Sequence, residues 1–157
     1  MEPSTIHSTF VIERSYPHPP EKVFAAFADP AKKRRWFVPD EQHEVRKFEL
    51  DFRVGGKEHL VFRLGAGAPI SGVITNRGTI LDLVPNQRFI TAYTMALDDR
   101  TFSIAMLTIE LLPAGAGTNL VCTHQGTYLE GADGPEMRKH GWTALLQQLD
   151  QALAAGL

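Results

Sequence analysis

From Pro135 onward the sequence carries one continuous helical stripe, and a helix with that pattern must lie on something apolar. Met137, Trp142, Leu145, Leu146, Leu149 and Leu153 recur at spacings of one, three, four or five, while Arg138, Lys139, Gln147, Gln148 and Asp150 fall mostly off the stripe. Pro135 suits the first turn, where its missing N–H costs nothing, and Glu136 suits the positive end of the helix dipole. Gly141 lies on the same stripe, one turn after Met137. In mid-helix a glycine costs about 1 kcal/mol relative to alanine, and close approach of the helix backbone to a sheet would offset that cost.

The rest of the chain supplies such a sheet. Thr9 to Tyr16 alternates Phe10, Ile12 and Tyr16 against Val11, Glu13 and Ser15, the period of a half-buried strand. His18-Pro19-Pro20 stops it, and Pro20 opens a short helix with Val23, Phe24 and Phe27 on one side. Asp29 then caps, with Pro30 at the first helical position, a second short helix ending near Trp36-Phe37. Strands follow over Phe48 to Val54, Lys57 to Leu64, Val73 to Val84, Phe89 to Leu97, Thr101 to Leu112 and Thr118 to about Leu129. Each is closed by turn residues, and Asn76-Arg77-Gly78 is a candidate break inside the third of them. Short connections favour an antiparallel meander. The expectation is an α+β chain: about seven strands in a curved antiparallel sheet around the long C-terminal helix, with two short helices after the first strand.

At 157 residues, 43% of them hydrophobic and 22% charged, residues 1–157 are expected to form a single domain with a core of its own. A formal net charge of −2 provides no basic field for nucleic acid. The lone Cys122 has no internal disulfide partner, which suits a reducing compartment. The opening Met1-Glu2-Pro3-Ser4-Thr5 lacks a charged region followed by an apolar stretch, so no signal peptide is expected, and no apolar run approaches a membrane span. A cytoplasmic location is expected.

Several local motifs, in order, resemble one family. Pro20-Glu21-Lys22-Val23-Phe24, Phe27-Ala28-Asp29-Pro30 and Trp36-Phe37 with Pro39 resemble the opening signature of the family named for the activator of heat-shock protein 90 ATPase. That family sits within the START-like, or birch-pollen-allergen-like (SRPBCC), superfamily. Arg53-Val54-Gly55-Gly56-Lys57 is similar to its Gly-Gly hairpin, Val84-Pro85-Asn86-Gln87-Arg88-Phe89 to its Val-Pro turn, and Gly141-Trp142 to its closing helix. The resemblance runs from about Phe10 to Leu153. It implies a helix-grip fold, and it brings no shared catalytic set. The family holds binders of hydrophobic small molecules and a co-chaperone domain, so a chaperone partner and a homodimer are both left open.

Enzyme motifs fail on inspection. Gly55-Gly56-Lys57 is followed by Glu58, where a phosphate loop needs Ser or Thr, and has Asp51 where it needs Gly. Lys47 stands where a zincin helix needs its second histidine. No Gly-x-Ser-x-Gly elbow occurs, and the six histidines show no metal-ligand spacing, so no metal and no cofactor are expected. Cys122 reads as a small buried hydrophobe, and Lys32-Lys33-Arg34-Arg35 as a solvated helix face.

Alternation places Glu58, Leu60 and Phe62 on one strand face, Tyr93 and Met95 on another, and Cys122, His124 and Tyr128 on a third. With Trp36, Met137 and Trp142 from the helices, these faces are the expected lining of a pocket under the C-terminal helix. Glu58 and His124 would then be ionisable groups in an apolar interior, where a carboxylate needs a partner or takes up a proton. The first functional expectation is therefore binding of a hydrophobic small molecule. The second is a cyclase- or hydrolase-type enzyme, which requires Glu58 and His124, with Tyr93, to converge on one point. The third is a partner-binding module linked to chaperone stimulation.

Overall fold

In the computed structural model, which describes residues 4–157, seven strands form one antiparallel sheet and three helices pack on it. Residues 1–3 of the opening segment discussed above lie outside the described residues. The elements run β1 (Ile6–Tyr16), α1 (Pro20–Ala28), α2 (Pro30–Phe37), β2 (Glu44–Leu50), β3 (Lys57–Arg63), β4 (Val73–Val84), β5 (Arg88–Leu97), β6 (Arg100–Ala114), β7 (Gly117–Tyr128) and α3 (Pro135–Ala154). Strand order is β1-β7-β6-β5-β4-β3-β2, so β2 to β7 form a meander and β1 closes against the last strand. This is the α+β helix-grip arrangement expected from the sequence.

Local chemistry sets the entry to each helix. The Asp29 carboxylate accepts from Ala31 N at 2.9 Å and Lys32 N at 3.3 Å, which turns the chain from α1 into α2. Trp36 ties the two together by donating its indole N–H to the Ala26 carbonyl at 3.0 Å and packing edge-on against Phe27. At α3 no side chain caps; Gly134 holds φ 88°, a conformation open to glycine, and Pro135 follows. Trp142, Leu146, Leu149 and Leu153 are buried along α3, each contributing roughly 2 kcal/mol of transfer free energy. The Tyr16 hydroxyl donates to the Leu146 carbonyl at 2.8 Å and locks the helix to β1.

Three sequence expectations need correction. The second strand was expected at Phe48 to Val54, but β2 runs Glu44–Leu50. Asp51 to Gly56 instead forms a compact turn, with Gly56 N donating to the Arg53 carbonyl at 2.8 Å and Gly55 at φ 83°. The strand begins early because its charged first half is an edge, where polar side chains are solvated on both faces. Within β4, Asn76-Arg77-Gly78 does not interrupt pairing; the irregularity comes later, between Ile80 and Asp82. On α3, the buried stripe passes through Arg138 rather than Met137: Arg138 is 6% exposed and Met137 67%.

Candidate functional site

The sheet register explains why there is a pocket. One inward row runs Glu58–Gly78–Tyr93–Ala105–Gly126 across β3 to β7. Three of its five members have no side chain beyond a methyl group. The space over Gly126 is filled by the Tyr128 ring, whereas Gly78 lies in the floor of a pocket. A Cβ on Gly78 would stand 3.3 Å from both Tyr93 Cβ and Thr91 Oγ1, so a side chain there requires those neighbours to give by a few tenths of an ångström. The neighbouring row, Leu60–Asn76–Met95, extends the floor. The helices form the roof, where Phe37 of α2 and Trp142 of α3 approach to 6.1 Å. The pocket so enclosed between sheet, α2 and α3 has a volume of about 330 Å³.

The walls are mostly apolar, with two ion pairs set into them. Lys33 is 5% exposed, donates to both Glu58 oxygens at 2.9 and 2.7 Å, and sits 4.3 Å over the Phe37 ring. On the α3 side, Arg138 donates from Nε to Asp133 Oδ2 at 2.8 Å and from Nη2 to Asp133 Oδ1 at 2.9 Å. Its Nη2 also donates to Ser103 Oγ at 2.9 Å, and its Nη1 to the Tyr93 hydroxyl at 3.3 Å. Both pairs are two-pronged and charge-assisted, the geometry that makes such contacts strong.

Tyr93 links this cluster to the interior. Its hydroxyl accepts from Arg138 Nη1 and from Trp142 Nε1 at 3.4 Å, and lies 2.8 Å from His124 Nε2. With two donors already aimed at the phenol oxygen, its own proton points to His124. That arrangement corresponds to the neutral His124 tautomer with its proton on Nδ1, a buried atom without a hydrogen-bond partner. Burial, reinforced by the nearby Arg138 charge, pulls the His124 pKa down to about 4. Phe10 stacks on the imidazole, with ring centroids 4.7 Å apart. Burial likewise raises the Tyr93 hydroxyl above its ordinary range, and pushes the Cys122 thiol up to about 12. At neutral pH all three are uncharged.

Of the residues expected to line the pocket, Glu58, Leu60, Phe62, Tyr93, Met95, Met137 and Trp142 do so. Three lie elsewhere. His124, 0% exposed, stands behind Tyr93, and Tyr128 is buried with its ring 5.4 Å from the Arg138 guanidinium carbon. Trp36 is held between α1 and α2. Glu58 and His124 do not converge. They sit on β3 and β7, four strands apart in the sheet order, and only Glu58 lines the pocket. Each is committed to a different partner. Among the described residues, no group of three His, Cys, Asp or Glu side chains is placed to hold a metal, and no helix is long and apolar enough to cross a membrane.

The profile of the family described as Activator of Hsp90 ATPase homolog 1-like protein matches residues 17–154. The chain belongs to this family. Among solved structures it is similar to the Mll3558 protein from Rhizobium loti, with 41% identity, a TM-score of 0.85, and 95% of this chain and 99% of that one covered. It is similar, too, to an uncharacterized protein from Rhizobium leguminosarum, at 31% identity and a TM-score of 0.87 with 97% of each chain covered. Protein CV1439 from Chromobacterium violaceum shares 31% identity at a TM-score of 0.74, over 91% of this chain and 94% of that one. Nothing among the curated proteins matches.

Within this Hsp90-ATPase-activator-like chain, sequence reasoning missed Lys33, Asp133 and Arg138 as pocket residues. It placed Lys33 in a solvated basic run and Arg138 off the apolar stripe. The basic run divides: Arg34 and Arg35 are exposed, whereas Lys33 shares the buried side with Trp36, three residues on. A usable signal existed for each cation. Counting back four from Trp142 lands on Arg138, and an inward-facing Glu58 requires a cation of its own.

Proposed function

We propose that this chain binds a small, mostly apolar molecule in the pocket between the sheet and α3, and holds it without turning it over. The observation that carries this reading is the pocket itself. About 330 Å³ lies between apolar walls in which the charged groups are paired with one another. Such a volume falls at the lower end of the range for small-molecule sites. The groups that would serve as acid and base are engaged elsewhere: Glu58 holds Lys33, and His124, shut behind Tyr93, accepts its proton. The Thr91 hydroxyl donates to the Thr79 carbonyl at 3.0 Å, so it is spoken for as well. A reducing cytoplasmic setting belongs to the same proposal and rests on Cys122 being the one cysteine of residues 1–157, with no internal disulfide partner.

Native mass spectrometry of protein purified from its own host tests the reading. A retained small-molecule mass that is lost in Gly141→Leu, which puts a bulky side chain at the α3 edge of the pocket, is the expected result. Protein that emerges free of any bound mass, and whose melting is unmoved by apolar probes, overturns it.

A further inference from the structure

The polar atoms of the pocket are unequal in kind, and that inequality selects among ligands. Two cations line it, Lys33 and Arg138, and each already faces a carboxylate in a two-pronged pair with distances between 2.7 and 2.9 Å. The four charges cancel. A ligand carboxylate would therefore find no free cation, and would have to displace Asp133 or Glu58 or else bring an uncompensated charge into an apolar site. A ligand ammonium meets the mirror-image obstacle.

Hydrogen-bonding capacity is less balanced. The Tyr93 oxygen is reached by Arg138 Nη1 at 3.3 Å and by Trp142 Nε1 at 3.4 Å, both beyond the usual 2.7–3.2 Å of an N–H···O bond. These are slack donors on two residues that line the pocket. Arg138 also has five N–H groups, of which four are directed at Asp133, Ser103 and Tyr93, leaving one on Nη1. Asn76 on the floor brings an unpartnered buried Oδ1. Rotation of its amide exchanges acceptor for donor, so it adapts to either.

We propose that the pocket selects a small, uncharged, largely apolar molecule bearing one acceptor oxygen, such as a ketone or ester carbonyl, that docks on Arg138 and Trp142. A volume of about 330 Å³ lies at the small end of the range for small-molecule sites. The aromatic rings of Phe37 and Trp142 in the roof suit a ligand whose body is a ring. This inference rests on the pocket being a binding site.

Calorimetric titration with four molecules of one shape separates the two claims. The probes are 4-phenyl-2-butanone, butylbenzene, 4-phenylbutanoate and 4-phenylbutylammonium. The ketone should bind tightest, at least about tenfold above either ion, because each ion would be buried without a counter-charge. It should exceed butylbenzene by about threefold to tenfold, the contribution of one or two hydrogen bonds. Trp142→Phe should shrink the ketone-to-butylbenzene ratio while leaving the ring-binding walls largely in place. Should that variant fail to fold, the wild-type ranking alone decides. If 4-phenylbutanoate equals or exceeds the ketone, the neutral-ligand inference is overturned and the binding site stands. Equal binding of ketone and butylbenzene overturns the donor assignment. Absence of heat with all four overturns the binding site along with the inference.

Discussion

A charge inside this protein is tolerated because of what it touches, and the Lys33–Glu58 pair shows how large that dependence is. Lys33 is 5% exposed and its two contacts to Glu58 are short. Removing the carboxylate by Glu58→Leu strands a buried ammonium and should cost about 2–3 kcal/mol in urea unfolding, somewhat below the value for fully enclosed pairs because Glu58 keeps 20% side-chain exposure. Replacing both partners, Lys33→Met with Glu58→Leu, should recover most of that loss. A double variant no more stable than the single would show that the loss lies in packing rather than in the stranded charge. His124 makes the same point through pH. Its native pKa of about 4 lies below the ordinary 6.5 because burial opposes its charge. Between those values the unfolded chain binds a proton that the native state refuses, so stability rises with pH across that window and is lost on acidification. The expected loss on going from pH 6.5 to pH 4 is up to about 3 kcal/mol. His124→Gln, which keeps an acceptor for the Tyr93 proton, should flatten that part of the stability–pH curve. A slope unchanged in the variant would assign the acid sensitivity to another group.

At the level of the helix, one residue of phase decides which face is inside. The apolar residues of α3 are all where the sequence puts them, yet their buried line is Arg138, Trp142, Leu146, Leu149 and Leu153. Hydrophobicity alone assigns Met137 to that line and Arg138 to water, because the pattern scores a side chain by type and not by its partners. Arg138 is buried only because Asp133, in the loop before the helix, and Ser103, on β6, receive its N–H groups. Neither is a neighbour that periodicity can find. The strands were more legible: Phe89, His124 and Tyr128 face inward as alternation requires, and the largest displacement is in β2, an edge strand rich in charge, which begins and ends four residues before its pattern suggested, while β1 begins three residues early. Gly141 was read as a close-approach residue, and the structure differs: a Cβ there would meet nothing within 4 Å, and the residue borders the pocket. Since its conformation is helical, Gly141→Ala should stabilise the protein by about 0.5–1 kcal/mol, raising Tm by about 2–3 °C in thermal denaturation. A drop in Tm would mean that the added methyl clashes and that the helix does lie against the sheet there.

Across the whole molecule, the pocket exists because the sheet gives up packing that it could have had. Gly78, in the pocket floor between Thr91 and Tyr93, leaves room beneath the helices that a larger side chain would take up, whereas the space over Gly126 in the same row is filled by the Tyr128 ring. Unfilled apolar volume costs stability, and a bound molecule returns it, since anything that binds only the native state stabilises it by mass action. On the proposed function, binding and global stability are one equilibrium. A ligand at one hundred times its Kd should add about 2.7 kcal/mol, which for a chain of 157 residues corresponds to a Tm rise of about 5–10 °C. The same ligand should stabilise Gly141→Leu less, because a leucine at this border of the pocket crowds the ligand, even if the variant starts from a higher Tm than wild type. The contrast between the two proteins, measured by differential scanning calorimetry over a ligand series, separates filling of the pocket from adsorption on the exposed outer face of the sheet. Equal stabilisation of both would place the ligand outside the pocket.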